Sequence, residues 1–299
     1  MKHLNNKYSC ELSTLLASLL WGSSFTAIKI GLDQIDPLWF VQWRMFFASL
    51  LLLPIFVRKW NPKKYFANKK IWLLGVTNAA AYLCQFIGMQ FTTASAAAFY
   101  VNLSIVFTAL LSFFILNEHF NKAKLFGLVL AIVGMLLLST NGKFHLLTHY
   151  STLGGLLVVI SGFFWALYTV LTKKLLTNKI IHFAPLTATI LFFSSMLLML
   201  PALIWGNWPE AVSVRNGGIL TYLVVFCTVL PFLFWAKGLK GISATVSAAL
   251  LLTEPIFTIF IAYPILGELF ETIEALGATI ILIALGLISF DKSQNGRLS

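Results

Sequence analysis

The chain has 299 residues, of which 59% are hydrophobic and 10% charged, with a formal net charge of +11 and a mean hydropathy of +0.88. Soluble globular chains carry about 25% charged residues, and so few charges cannot cover a soluble surface of this size, so the apolar excess must face lipid. The composition excludes a soluble domain, and at about 20 residues per span the length has room for about ten membrane helices.

Long apolar runs broken by charge, Gly and Pro predict ten spans: Leu12–Leu32, Pro37–Val57, Ile71–Phe91, Ala94–Leu116, Ala123–Asn141, Leu153–Leu171, Ala184–Trp205, Gly217–Ala236, Ala244–Leu266 and Ile273–Phe290. Backbone in lipid must satisfy its own hydrogen bonds, and the alternating pattern of a barrel is absent, so the fold class is all-α integral membrane. The basic start MKHLNNK could open a signal peptide, but the segment after it has a counterpart later in the chain and reads as the first span.

The charge sorts by loop. With the N-terminus inside, 17 of the 21 Lys and Arg fall at cytoplasmic positions, including Arg58, Lys59, Lys63, Lys64, Lys179, Lys292 and Arg297, against Lys143 and Arg215 outside. The basic excess therefore records an insertion with both termini cytoplasmic, in the cell (inner) membrane, with the lipid bilayer as partner and no nucleic acid. Cys10, Cys84 and Cys227 are an odd number and far apart, and the five histidines lie between the apolar runs, which gives neither a disulfide framework nor a metal site. No Walker-type phosphate loop is present, and no cofactor is expected.

The chain repeats itself. Ala94–Glu118 aligns without a gap on Ala244–Glu268 at an offset of 150, with Phe107 on Phe257 and Thr108 on Thr258, flanked by Gly88 on Gly238 and Gly127 on Gly277. At an offset of 144, Trp21 falls on Trp165 and Lys29 on Lys173. This predicts two halves, residues 1–141 and 142–299, of five helices each. Because five is odd, the second half enters the membrane inverted, an arrangement that permits alternating access to a midplane site.

These residues also carry a resemblance. LLWGSSFTAIKIGL from Leu19, Pro37 followed by WRMFFASLLLLP, and TEPIFTIFIAYPILGE from Thr253 resemble the motifs of the drug/metabolite transporter superfamily, specifically the EamA-type ten-helix permeases. The resemblance implies transport of small metabolites, and it implies that spans one, three, four, six, eight and nine enclose a central cavity. In the first half Ile105 stands at the position of Pro255 and Asn117 at that of Gly267, so the fourth span is expected to be less kinked than the ninth.

Within those spans, Trp21, Tyr82, Gln85, Phe99, Asn102, Trp165, Tyr168, Trp235 and Glu254 are the candidates for a substrate-binding wall. Glu254 is the one carboxylate deep in a predicted span, suited to binding a proton or a substrate amine, or else to bonding a neighbouring helix. Pro255 reads as a hinge that frees the Leu251 carbonyl. Lys29 and Lys173 read as interfacial anchors or gate charges. Arg44 can snorkel to the outer interface, pair with Asp33 or Asp36, or serve as a gate or substrate contact. Trp39, Trp60 and Trp208 read as belt residues, and Glu268, Glu271 and Glu274 as a solvated acidic helix start. The function expected is a secondary transporter exporting amino acids or similar small amphiphilic metabolites, driven either by proton antiport through Glu254 or by facilitated diffusion down a metabolite gradient. A drug, vitamin or nucleoside-like permease, or a non-transporting membrane sensor, remain as alternatives. No span contains a histidine or a close pair of carboxylates, so an enzyme is not expected.

Overall fold

The structure, a computed structural model, describes residues 2–58, 65–140, 152–177, 181–209, 213–266 and 272–289. The expectations for Trp60, His145, His149, Glu268 and Glu271, for the loop charges Lys59, Lys63, Lys64, Lys143, Lys179, Lys292 and Arg297, and for the span ends Asn141 and Phe290 lie outside the described residues.

Among the described residues the chain is helical without a strand. The helices are α1 (Lys2–Leu32), α2 (Pro37–Leu51), α3 (Leu53–Arg58), α4 (Lys69–Gln90), α5 (Ala94–Asn102), α6 (Ser104–Leu116), α7 (Lys122–Thr140), α8 (Thr152–Leu176), α9 (Phe183–Trp205), α10 (Val214–Val224), α11 (Leu230–Gly241), α12 (Ala244–Leu251), α13 (Thr253–Leu266) and α14 (Thr272–Ser289). A π-helical turn, Val225–Val229, joins α10 to α11. Seven continuous or nearly continuous stretches are long and apolar enough to cross a membrane: Tyr8–Leu32, Lys69–Gln90, Ala96–Leu116, Leu153–Leu176, Phe183–Trp205, Val214–Gly241 and Ala244–Ile265. The segments expected as spans two, five and ten are helical too, but they are shorter or, for α2 and α3, interrupted at Leu52.

Local chemistry sets the helix starts. Asp36 accepts from the N–H groups of Leu38 (2.9 Å) and Trp39 (3.4 Å), with Pro37 opening α2 where no donor is needed. Thr93 caps α5 through Ala96 N–H at 3.1 Å, and Ser243 caps α12 through Val246 N–H at 3.2 Å. Asn117 ends α6 in the left-handed region at φ 52°, a conformation that Asn tolerates better than most residues. That turn delivers Glu118 to the start of α12, where its carboxylate accepts from Ala244 N–H (2.8 Å) and Thr245 Oγ1 (2.7 Å), with Lys124 Nζ 3.6 Å away. An anion at a helix N-terminus satisfies orphan donors and meets the positive end of the dipole.

Both the fourth and the ninth expected spans are broken, at Leu103 and Leu252. The turn forms in the fourth span although Ile105 stands where the ninth has Pro255, and there the Asn102 side-chain Nδ2 donates to the Ala98 carbonyl at 2.8 Å, competing with the backbone ladder. In the ninth, Pro255 sits in the first turn of α13, where its missing N–H costs nothing, and Leu251 faces the cavity.

The helices pack in pairs: α1 with α11, α4 with α8, α2 with α9, α7 with α14, α1 with α13, and α8 with α6. Close approach is licensed by glycine. A Cβ on Gly88 would lie 2.9 Å from the Gly154 carbonyl, and one on Gly238 would lie 2.6 Å from that of Cys10. Small hydroxyls stitch the same contacts, as where Thr258 Oγ1 lies 2.9 Å from the carbonyls of both Gly22 and Glu254. Large apolar side chains point outward instead, among them Phe114, Leu200, Leu203, Trp205, Phe260 and Leu282, as a lipid-facing surface requires.

The α1–α13 crossing is also tight, at the site described below. A Cβ on Gly22 would lie 2.8 Å from both the Glu254 carbonyl and Phe257 Cβ, neither of which can yield without moving the helix. Gly22→Ala should therefore lower stability by about 1–3 kcal/mol, read as a reduced melting temperature in detergent. Gly286→Ala, where an added Cβ meets nothing within 4 Å, should leave it unchanged.

Candidate functional site

A cavity of about 60 Å³ lies where α1, α2, α4, α5, α6, α8, α11, α12 and α13 converge. Its wall contains Trp21 and Ser24, Arg44, Tyr82 and Gln85, Asn102, Ser104 and Thr108, Trp165 and Thr169, Trp235, Leu251 and Glu254. Seven of the nine residues expected to bind substrate are therefore brought together: Trp21, Tyr82, Gln85, Asn102, Trp165, Trp235 and Glu254.

The wall joins four aromatic rings, Trp21, Tyr82, Trp165 and Trp235, to polar side chains. Trp21 and Trp165 lie 6.3 Å apart between ring centroids, and Trp21 and Trp235 6.2 Å apart. Phe232, fully buried behind them, meets Trp21 edge-on at 5.4 Å. Tyr82 is edge-on to Trp165 at 5.0 Å. Trp165 Nε1 donates to Gln85 Oε1 at 3.3 Å, which fixes the ring and satisfies the amide oxygen. The indole N–H groups of Trp21 and Trp235 are buried without a partner among the described residues.

Two expected members stand off the wall. Phe99 packs in an apolar cluster with Ile105, Ala248, Leu252 and Ile259, and Tyr168 stacks behind the wall on Trp235 at 5.3 Å. Periodicity alone could not tell a cavity-facing aromatic from one facing a neighbouring helix. Lys29 and Lys173 are also outside it. Lys29 Nζ donates to the carbonyls of Met89 (3.1 Å) and Thr92 (2.9 Å), and Lys173 Nζ to those of Leu239 (2.9 Å) and Lys240 (3.3 Å). Each ammonium thus neutralises the carbonyl end of a neighbouring helix. Trp39, expected in the belt, is 6% exposed and packed edge-on against the exposed Trp208 at 4.5 Å, so only Trp208 of that pair has the exposure of a belt residue.

Arg44 neither snorkels nor pairs with Asp33 or Asp36. It is 1% exposed, with Nε donating to Thr228 Oγ1 at 2.7 Å and one terminal nitrogen to the Cys227 carbonyl at 2.6 Å. The guanidinium carbon also lies 5.0 Å from the centroid of Tyr82, a cation–π contact. Local sequence explains the free carbonyl: four residues beyond Cys227 stands Pro231, which has no N–H to return the helical bond, and the π turn leaves Cys227 C=O open. Asp36, in turn, is engaged as the α2 cap.

Glu254 is 8% exposed, in the first turn of α13, and its carboxylate has no hydrogen-bond or ion-pair partner among the described residues. The wall therefore carries one cation and one acidic side chain, neither of them ion-paired among the described residues.

Residues missed from the sequence include Ser24, Thr108, Thr169, Phe232 and the Cys227–Thr228 turn. Helical spacing holds the signal for two of them, since Ser24 lies three residues after Trp21 and Thr169 four after Trp165, on the same faces. Thr228→Val removes the acceptor for Arg44 Nε and should cost about 1–3 kcal/mol, measured as a fall in melting temperature, whereas Thr228→Ser should stay near wild type.

Known proteins bear on this site. An "Uncharacterized transporter" of Archaeoglobus fulgidus is 30% identical over 285 residues, covering 93% of this chain and 96% of its own. A "Probable amino-acid metabolite efflux pump" of Salmonella typhimurium is 24% identical over 300 residues, covering 95% and 97%. A solved crystal structure shares the fold at a TM-score of 0.76 and 13% identity, covering 94% of this chain and 96% of that one. The EamA-like transporter family matches residues 9–140 and again residues 152–290. The chain belongs to the EamA-like transporter family and is a multi-pass membrane transporter.

Proposed function

We propose that this transporter exports amino acids or similar small amphiphilic metabolites by alternating access, coupled to protons through Glu254. The observation that carries the proposal is the cavity itself: a wall in which the rings of Trp21 and Trp165 lie beside a carboxylate, Glu254, that has no partner among the described residues.

The transport cycle rests on two inverted halves of five spans, residues 1–141 and 142–299. In support, the family matches twice along the chain. Under the offsets of 144 and 150, the pairing of α1 with α11 corresponds to that of α8 with α4, and the Lys29 cap on Met89 corresponds to the Lys173 cap on Leu239. Corresponding segments also pack on each other, α2 on α9 and α7 on α14. The basic loops orient both termini to the cytoplasm of the cell membrane.

A cavity of 60 Å³ is well below the roughly 150 Å³ that encloses a benzene ring. A metabolite therefore enters only when the helices around it part, as alternating access requires. Trp and Tyr faces take the apolar part of such a substrate and attract an ammonium. Glu254 takes either that ammonium or a proton, and mutually exclusive occupancy of one carboxylate is the simplest basis for exchange. The Salmonella relative's name fits this substrate class.

The test is transport in proteoliposomes. The wild type should drive accumulation of a transported amino acid when a pH gradient is imposed. Glu254→Gln should lose at least about tenfold of that gradient-driven flux, roughly 1.4 kcal/mol or more in the driven step, while the protein remains folded. Gradient-driven flux unchanged in the variant would remove the coupling role from Glu254.

A further inference from the structure

We propose that the Arg44 guanidinium is the subsite that binds a carboxylate on the transported molecule, so that the cavity is built for a zwitterion rather than for a simple amine. This rests on the transport reading above and deepens it.

Three features of the site lead there. First, Arg44 is a cation buried among apolar helices with no ion-pair partner among the described residues, and burial of an uncompensated charge is costly. Second, its geometry is half used. Thr228 Oγ1 and the Cys227 carbonyl hold Nε and one terminal nitrogen, while the other terminal nitrogen, Nη1, is buried without a partner among the described residues. A guanidinium presents its donors as a rigid fork, and the fixed Nε and terminal contacts orient the remaining edge. Third, the residue belongs to the cavity wall, together with two further buried donors that lack acceptors, the indole N–H groups of Trp21 and Trp235. Arg44 Nη1 and these two indole N–H groups are three donors without an acceptor among the described residues, and a ligand carboxylate supplies an anionic oxygen to the guanidinium while Glu254 is left for a ligand cation.

A buried arginine in a membrane bundle is held by a carboxylate or by backbone carbonyls; here the Cys227 carbonyl and Thr228 position the guanidinium, and no carboxylate among the described residues neutralises it. The π turn at Val225–Val229 and Pro231 serve that positioning, because together they supply the carbonyl that holds the fork. On the same wall, Glu254 provides the complementary charge for the ligand's ammonium. A ligand carrying both groups leaves neither buried charge alone.

The experiment compares each amino acid with its decarboxylated amine and its deaminated acid, on the wild type, Arg44→Gln and Arg44→Lys. Binding is followed by quenching of tryptophan fluorescence and by thermal shift in detergent. For at least one amino acid the wild type should bind the zwitterion at least about thirtyfold more tightly than its amine. Arg44→Gln should abolish that preference by weakening the zwitterion while leaving the amine's affinity unchanged, and Arg44→Lys should restore part of it. Amines that bind the wild type as tightly as their parent amino acids would overturn the proposal without needing any variant, which covers the case in which Arg44→Gln does not fold. Equal amino-acid affinity in wild type and Arg44→Gln would overturn the carboxylate subsite while leaving amino-acid transport standing. Binding confined to molecules without a carboxylate would overturn both this subsite and the amino-acid reading.

Discussion

A charge inside a lipid-embedded bundle can be held only by groups that the bundle itself sets free, and much of this site follows from how that is done for Arg44. An unbroken α-helix offers no spare carbonyl, because every one in its interior is bonded to the N–H four residues on. Pro231 and the π turn before it interrupt that ladder at Cys227, and the released carbonyl becomes the acceptor for the guanidinium. The same device recurs around the cavity in other forms. The fourth and ninth spans break at Leu103 and Leu252, and these breaks place Asn102 and Glu254 beside the cavity they line. Asn102 and Glu254 sit where the helices are irregular, as backbone in a membrane allows only when it lines a cavity or is buried in protein.

The breaks also explain how a bundle so closely packed keeps a cavity. Gly22, Gly88 and Gly238 bring helix backbones nearly into contact at their crossings. Between those contacts, large aromatics prop the centre apart: Trp21, Trp165 and Trp235 lean on Phe232 and on one another rather than interdigitating across the space. Small residues at the crossings and large ones at the centre leave close contacts around a small cavity.

Helix ends are governed by charge in the same economical way. Lys29 and Lys173 each satisfy carbonyls of a neighbouring helix, and Glu118 satisfies donors at the start of α12. Each of these contacts joins segments far apart in sequence, so the few charges that the composition allows are placed where a terminus would otherwise bury unpaired backbone groups. The first-span motif Trp21-Gly22-Ser23 divides its labour similarly: the ring lines the cavity, the glycine admits α13, and the hydroxyl of Ser23 accepts from Tyr222 at 2.7 Å.

The sequence by itself determined the solvent and much of the inventory. Composition demanded lipid, long apolar runs located the helices though not all their ends, with α1 beginning ten residues before the expected span, and residues matched between the halves singled out Trp21, Trp165, Gly88 and Gly238. Those are properties of strings, since hydropathy, helix capping by Thr93 or Ser243 and the dihedral tolerance of Asn117 depend on near neighbours. Tertiary structure decided which polar and aromatic groups share a cavity. Arg44 could as well have reached the interface, until α2 was seen to pack on the π turn 183 residues away. Phe99 and Tyr168 have the composition and spacing of wall residues, yet the rotation of their helices turns them into the core. Rotation about a helix axis is fixed by contacts with other helices, and in a chain apolar on nearly every face the sequence pattern cannot say which way a given side chain turns.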